Sequence, residues 1–521
     1  LNRIRLDHPL WLLLFLSVGF VFNLWSVPLF DVDEGAFSEA SRELLNSGIW
    51  SATYLDGEPR YDKPILTYWF QATSMALFGI NELSLRLHSV ICALLWAGAI
   101  YAFCREFIDR RSARAAVLIF STTLLITLIG RAATADSLLN LLIALTFFDI
   151  YRYSCYRKPT HLLRVWLWLS LGMLTKGPVA AGIPLLVSMI WMFSLGQQKL
   201  WTRSIFSPWG WLILLSILAP WLVFVWREQG SGFFTGFLIE HNLNRFSATK
   251  EGHGGYWYYY LVLLPIVMLP WSGLMLGLFR RAKALWLRPF ERLLIIWFAV
   301  VFVLVSLSQT QLPHYVLYGI TPLVILFAKY RRVLARGRWQ WLLPALPLAL
   351  QIALVLYAAP LAESQNNLYQ REMLAQAPEV FDLHYALLLA VAAGLTLMIG
   401  MLGLSQWKRL ALAGLVQSAT LFLLLLPALA ELQQAPVKRA ADVAQRMGVP
   451  FVAYRIHMPS FSLYRDAITE RRAPQAGDYL FTRADRLDDL QHRFGPDAID
   501  VFYREGGIVL AQVLPEDARH E

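Results

Sequence analysis

The feature that most constrains this chain is a recurring apolar stretch long enough to cross a bilayer. A spanning helix needs about 20 apolar residues. About thirteen stretches match that template: 10–27, 85–104, 113–129, 137–153, 162–176, 178–195, 208–226, 256–278, 292–308, 314–329, 341–358, 385–404 and 410–428. Lipid offers no partners to backbone N–H and C=O groups, so each such stretch must satisfy its own, as an α-helix does. The predicted fold is therefore mainly α, a polytopic membrane protein. Composition agrees: 57% of the 521 residues are hydrophobic and 16% charged, whereas a soluble domain carries about a quarter charged residues. The formal charge of +10 comes from Lys and Arg clustered in short loops between apolar stretches. That pattern marks topology rather than a nucleic-acid surface, and no nucleic-acid partner is expected. Cys92, Cys104 and Cys155 fit neither a metal spacing nor a disulfide framework. No small-residue cleavage site follows 10–27, so this stretch reads as a retained anchor rather than a signal peptide.

The stretch 65–79 decides the orientation of everything after it. The basic clusters around Arg3, Arg105–Arg114, Arg152–Arg164, Lys199/Arg203, Arg280–Arg292, Lys329–Arg338 and Lys408/Arg409 share one side only if 65–79 does not cross. It then lies as a juxtamembrane helix, with the N-terminus cytoplasmic and the C-terminus outside. Segments 28–84, 130–136, 176–178, 227–255, 309–313, 359–384 and 429–521 face outward, and the unusual polar residues collect on that face. Two domains are expected: a membrane domain over 1–432, including the first outward loop 28–84, and a small α/β domain over 433–521. In the latter, β-type runs such as 450–454 and 507–511 alternate with helical segments such as 437–447.

Charge at a bilayer edge is costly to desolvate, so the acidic run Asp31-Val32-Asp33-Glu34 after the first apolar stretch is a candidate site. Helical spacing follows it over 35–45. Asp136, in the short turn Gly130-Arg131-Ala132-Ala133-Thr134-Ala135-Asp136, reads either as a helix cap or as a second catalytic carboxylate. Lys63, Lys176 and Arg245 place cations on the same face, which suits an anionic lipid headgroup or phosphate. His241 with Asp62 or Glu240 forms a candidate divalent-metal site. No phosphate-binding loop, dinucleotide fingerprint or nucleophile elbow is present. An activated donor would thus arrive as a lipid-linked molecule, without a soluble cofactor.

These motifs, in order, resemble the GT-C membrane glycosyltransferases of the protein O-mannosyltransferase superfamily, particularly the bacterial aminoarabinose lipid A transferase branch. The resemblance runs through Asp33-Glu34, the Tyr61–Trp69 stretch, Asp136, Leu174–Pro178, Glu240–Phe246, Leu312–Tyr315 and the Tyr454–Tyr464 region. It implies a bacterial inner-membrane enzyme that moves a sugar, with inversion, from a polyprenyl (undecaprenyl) phosphate donor to lipid A, lipopolysaccharide or another envelope acceptor at the periplasmic face. By matching positions it implies Asp33, Glu34 and Asp136 as catalytic carboxylates. Lys63, Arg245, Lys176 and Tyr315 would hold the donor's lipid phosphate, and Asp62 and His241 a metal. Ala36 and Gln311 stand where the family often has Arg and Lys, which puts the acceptor's identity in question. Alternatives are a flippase of lipid-linked glycans and a protein O-mannosyltransferase-like enzyme.

Overall fold

The computed structural model describes residues 6, 8–243, 256–337 and 340–515. Among them, seven helices are long and apolar enough to cross a membrane: Glu82–Phe107, Asp136–Tyr156, Pro208–Ile239, Pro289–Leu307, Gln340–Glu363, Leu383–Met401 and Gln406–Gln433. Pro9–Val21 and Val179–Ser194 are shorter apolar helices. Several of the other expected stretches are interrupted, for a local chemical reason. The stretch 113–129 divides into Arg110–Phe120 and Leu124–Ile129 at Ser121-Thr122-Thr123, whose hydroxyls donate back to the carbonyls of Val117, Leu118 and Ile119 at 2.7–2.8 Å. Such back-bonding competes with the helix ladder. The stretch 256–278 divides into Tyr259–Val267 and Gly273–Phe279 around Pro270, which has no N–H to donate. The two breaks satisfy each other. The Leu124 amide donates to the Leu269 carbonyl at 2.9 Å, and the Trp271 indole to Thr122 at 3.0 Å. Irregular backbone is thus buried against protein rather than lipid.

The first loop carries two helices, Asp33–Ser47 and Leu66–Phe78, with a two-stranded hairpin, Tyr54–Leu55 and Glu58–Pro59, between them. At thirteen residues, Leu66–Phe78 is about 20 Å long, short of the ~30 Å hydrocarbon core. The Asp33–Ser47 helix begins with two carboxylates, which favour a helix N-terminus, and stops at Gly48. It does not lie free along a surface, because Glu34 to Leu44 are all buried. On one side Phe37 stacks on Tyr68 with ring centroids 5.2 Å apart, and Ser41 donates to Gln71 at 2.8 Å. On the other side lies the short helix Ser460–Arg465, whose neighbour Asp466 accepts from Arg42 at 3.0 Å.

Beyond the last apolar helix, Ala435–Met447 leads into a four-stranded sheet. Phe451–Ala453 runs parallel to Tyr479–Arg483, which pairs antiparallel with Ile508–Val513, and that strand pairs antiparallel with Ile499–Glu505. Its core, including Phe451, Phe461, Phe481 and Leu510, is separate from the core of the membrane helices. This region is tied to the first loop at several points. Ser462 donates to Asp56 at 2.7 Å. Tyr464 accepts from the Leu29 amide at 2.9 Å and donates to Glu82 at 3.1 Å, and Lys438 also pairs with Glu82.

Candidate active site

The acidic run divides into three different carboxylates. Asp31 accepts from the amide of Ser460 at 3.1 Å and from its hydroxyl. Burial pushes its pKa up to about 7, against the opposing pull of those bonds. This approach depends on Gly35, where a Cβ would sit 1.9 Å from the Asp31 carboxylate and 2.8 Å from the Ser460 amide. Glu34 is saturated. It accepts Arg86 Nε at 2.8 Å and Nη2 at 2.6 Å, the Ala133 amide at 2.8 Å and the Phe30 amide at 2.9 Å. The Arg86 guanidinium holds the Glu34 carboxyl below its usual range despite burial. Glu34 therefore joins the loop, the Glu82–Phe107 helix and the turn before Asp136, with no lone pair left for chemistry. Asp33 remains. It is exposed and lines a cavity of about 310 Å³ with Asn23, Asp31, Arg131 and Phe422.

Asp136 opens the Asp136–Tyr156 helix, but its carboxylate does not cap it. It accepts Lys176 Nζ at 2.6 Å and the Tyr318 hydroxyl at 3.1 Å, and His314 Nε2 lies 3.9 Å from its other oxygen. Lys176 is the last residue of Pro159–Lys176. Gly177 then turns the chain with φ +76°, where a Cβ would meet the Phe237 ring at 2.3 Å. Tyr315 and Tyr318 frame Lys176, whose Nζ is 5.6 Å from each ring centroid. Lys63 donates to the Asp62 carboxylate at 2.6 Å, and Arg60 reaches the other Asp62 oxygen at 3.2 Å. The charges of Asp136, Lys176, Asp33 and Lys63 all act on His314. These four, from three separate parts of the chain, form one electrostatic neighbourhood.

Asp62 is shared by two cations, and among the described residues no group of three His, Cys, Asp or Glu side chains is arranged to hold a metal. Arg245 and the side chain of His241 lie outside the described residues. Arg86, Arg60 and Tyr318 are constituents that the motif reading did not single out. Arg86 was detectable, being an ionisable residue inside the apolar stretch 85–104, where a functional reading is the default.

The profile of the dolichyl-phosphate-mannose-protein mannosyltransferase family matches residues 62–226. The undecaprenyl phosphate-alpha-4-amino-4-deoxy-L-arabinose arabinosyl transferase 2 of Proteus mirabilis is 30% identical over 341 residues, covering 63% of this chain and 60% of that protein. The corresponding transferase of Shewanella sediminis is 27% identical over 59% of this chain and 56% of its own length. The matched region thus spans under two thirds of these relatives. The crystal structure of ArnT from Cupriavidus metallidurans bound to undecaprenyl phosphate superposes with a TM-score of 0.77 at 20% identity, over 96% of this chain and 97% of that one. The fold and the matched family profile define a class, the multi-pass membrane proteins with the GT-C glycosyltransferase fold. Within it, the chain is similar over about three fifths of its length to the undecaprenyl phosphate-aminoarabinose arabinosyl transferases.

Proposed function

We propose that this protein is an inverting glycosyltransferase that moves a sugar from a polyprenyl-phosphate donor to an envelope acceptor of the lipid A type. The observation that carries the reading is Asp33. It is the exposed carboxylate of its run on the wall of the cavity, and it shares an electrostatic neighbourhood with Lys63, Asp136 and Lys176. Displacement at an anomeric carbon needs an acceptor on one face and a stabilised leaving group on the other. In this account the acceptor oxygen forms its bond to the anomeric carbon as the bond to the donor phosphate oxygen breaks. The bonding pair stays on the departing phosphate. Asp33 orients the acceptor, takes its proton where it has one, and offsets the positive charge that develops on the sugar. Lys63 and Lys176, with Arg245 and Tyr315, hold the donor phosphate. Each lysine is paired with a carboxylate, so donor binding exchanges Asp62 or Asp136 for phosphate. Asp136 positions Lys176, and Glu34 supports the loop rather than reacting. Asp62 acts in the same cation network.

The same reading sets the topology. The chain crosses the inner membrane about thirteen times, with short and broken helices making some of the crossings. Its N-terminus is cytoplasmic, and residues 433–521 form a periplasmic α/β domain resting on the loop that carries Asp33. Reconstitution with a labelled polyprenyl-phosphate sugar tests the function. Transfer yields a glycosylated acceptor and free polyprenyl phosphate in equal amounts. A flippase would move the donor across the bilayer intact, and that outcome would overturn the proposal.

A further inference from the structure

Arg131 is a buried cation on the wall of the Asp33 cavity that no carboxylate among the described residues pairs with. It is only 7% exposed and lines the cavity with Asp33, Asp31 and Asn23. Its Nη2 donates to the Phe22 carbonyl at 2.6 Å, and its guanidinium lies 4.0 Å over the Phe422 ring. Nη1 is buried with no hydrogen-bond partner, and among the described residues no ion pair forms to Arg131. Leaving a charged donor buried and unmatched is costly, and a bound anion removes that cost. Arg86 nearby is consumed by Glu34, so it offers no competing charge.

We propose that Arg131 is an acceptor-specificity residue that binds a phosphomonoester on the acceptor lipid. Two observations and the stereochemistry of inversion support that assignment over the donor phosphate. Asp33 belongs to two neighbourhoods: with Lys63, Asp136 and Lys176 around His314, and with Arg131 around the cavity. Neither lysine lines the cavity. An inverting displacement brings acceptor and leaving group to opposite faces of the anomeric carbon, so the cation set apart from the lysines suits the acceptor. The local charge also permits an anion. Glu34 is neutralised by Arg86, and burial lifts the Asp31 pKa to about 7, so its charge is suppressed below that pH. That leaves Asp33 against Arg131. Burial also weighs on Arg131 itself, pushing its pKa down to about 9. A guanidinium fork suits a tetrahedral phosphate, which it can grip through two N–H groups.

The inference rests on the transferase reading for its meaning, but its test does not require turnover. The full chain in nanodiscs is titrated with three probes: lipid A carrying its phosphates, the same lipid A dephosphorylated, and undecaprenyl phosphate. Wild-type protein is expected to bind the phosphorylated form about tenfold more tightly than the dephosphorylated one, the size of one charge-assisted contact. Arg131→Gln should lose that preference while binding undecaprenyl phosphate within about twofold of wild type, and Arg131→Lys should retain part of it. Equal wild-type affinity for the two lipid A forms overturns the proposal without any variant. So does an Arg131→Gln variant that keeps the preference, or one that weakens undecaprenyl phosphate equally. Failure of sugar transfer in the wild type would instead count against the transferase reading alone.

Discussion

Arg86 grips Glu34 through two parallel hydrogen bonds of 2.8 and 2.6 Å, with both side chains buried. The pair joins the first loop to the Glu82–Phe107 helix. Through the Ala133 amide it also reaches the turn that presents Asp136. The open carboxylate and the lysine-paired carboxylate are therefore held in register by a third, fully hydrogen-bonded carboxylate.

Breaking that clamp should act on stability first. Arg86→Met leaves Glu34 buried without its cation, and removing one partner of a buried pair costs about 3–5 kcal/mol. Thermal unfolding in detergent should show a clear fall in Tm. Glu34→Gln keeps the acceptor oxygen and one hydrogen-bonding edge, so its loss should be smaller. An unchanged Tm in Arg86→Met would show that the clamp contributes little.

Asp136 and Lys176 should act on the reaction. Asp136→Asn leaves Lys176 misplaced and without its counter-charge, and kcat/KM should fall by roughly a hundredfold, equivalent to about 2.7 kcal/mol. Lys176→Met should raise the KM for the donor more than it lowers kcat. Steady-state kinetics with varied donor separate the two. An effect of Lys176→Met confined to acceptor KM would contradict its assignment to the donor phosphate.

Asp31 has a distinct pH signature. Its folded pKa, about 7, lies above the ordinary aspartate value of 3.8. Between those values the folded state holds a proton that the unfolded state has released. Stability from this group is therefore full below about pH 4, declines as pH rises toward 7, and levels off above that. Asp31→Asn removes the titration and keeps an oxygen for the Ser460 amide. Wild-type Tm should fall relative to Asp31→Asn between pH 5 and 8, while the variant retains transfer. Parallel Tm curves would contradict the assignment.

Gly35→Ala should uncouple the C-terminal region from the loop. The added methyl would overlap the Asp31 carboxylate and approach the Ser460 amide, so the Asp31–Ser460 contact must open. Faster proteolysis within 433–521, with membrane insertion intact, is the expected result.

The sequence displayed the charged elements because charges at a bilayer edge are rare and conspicuous. Asp33, Lys63, Asp136 and Lys176 stand out against apolar runs, and the structure places them around His314. Their pairing was not legible. Nothing in the spacing says that Glu34 will be consumed by Arg86, 52 positions away, or Asp31 by Ser460, 429 away. Those are tertiary matches, decided by which buried group finds which donor. The helical interruption at Ser121-Thr122-Thr123 was masked in the same way, since three hydroxyl residues barely lower the hydropathy of an apolar stretch. The C-terminal helix at 437–447 and the β-type runs near 450–454 and 507–511 were readable because short periodic patterns are local. The structure has Ala435–Met447, Phe451–Ala453 and Ile508–Val513 there.

The central claim is that Asp33, and not its two acidic neighbours, carries the chemistry. The direct measurement is the initial rate of sugar transfer by purified Asp33→Asn, reconstituted with polyprenyl-phosphate sugar and lipid A, beside a titration of undecaprenyl phosphate binding. The account predicts a rate lowered by at least about a hundredfold, with undecaprenyl phosphate bound as in the wild type. Transfer at near wild-type rate would contradict it.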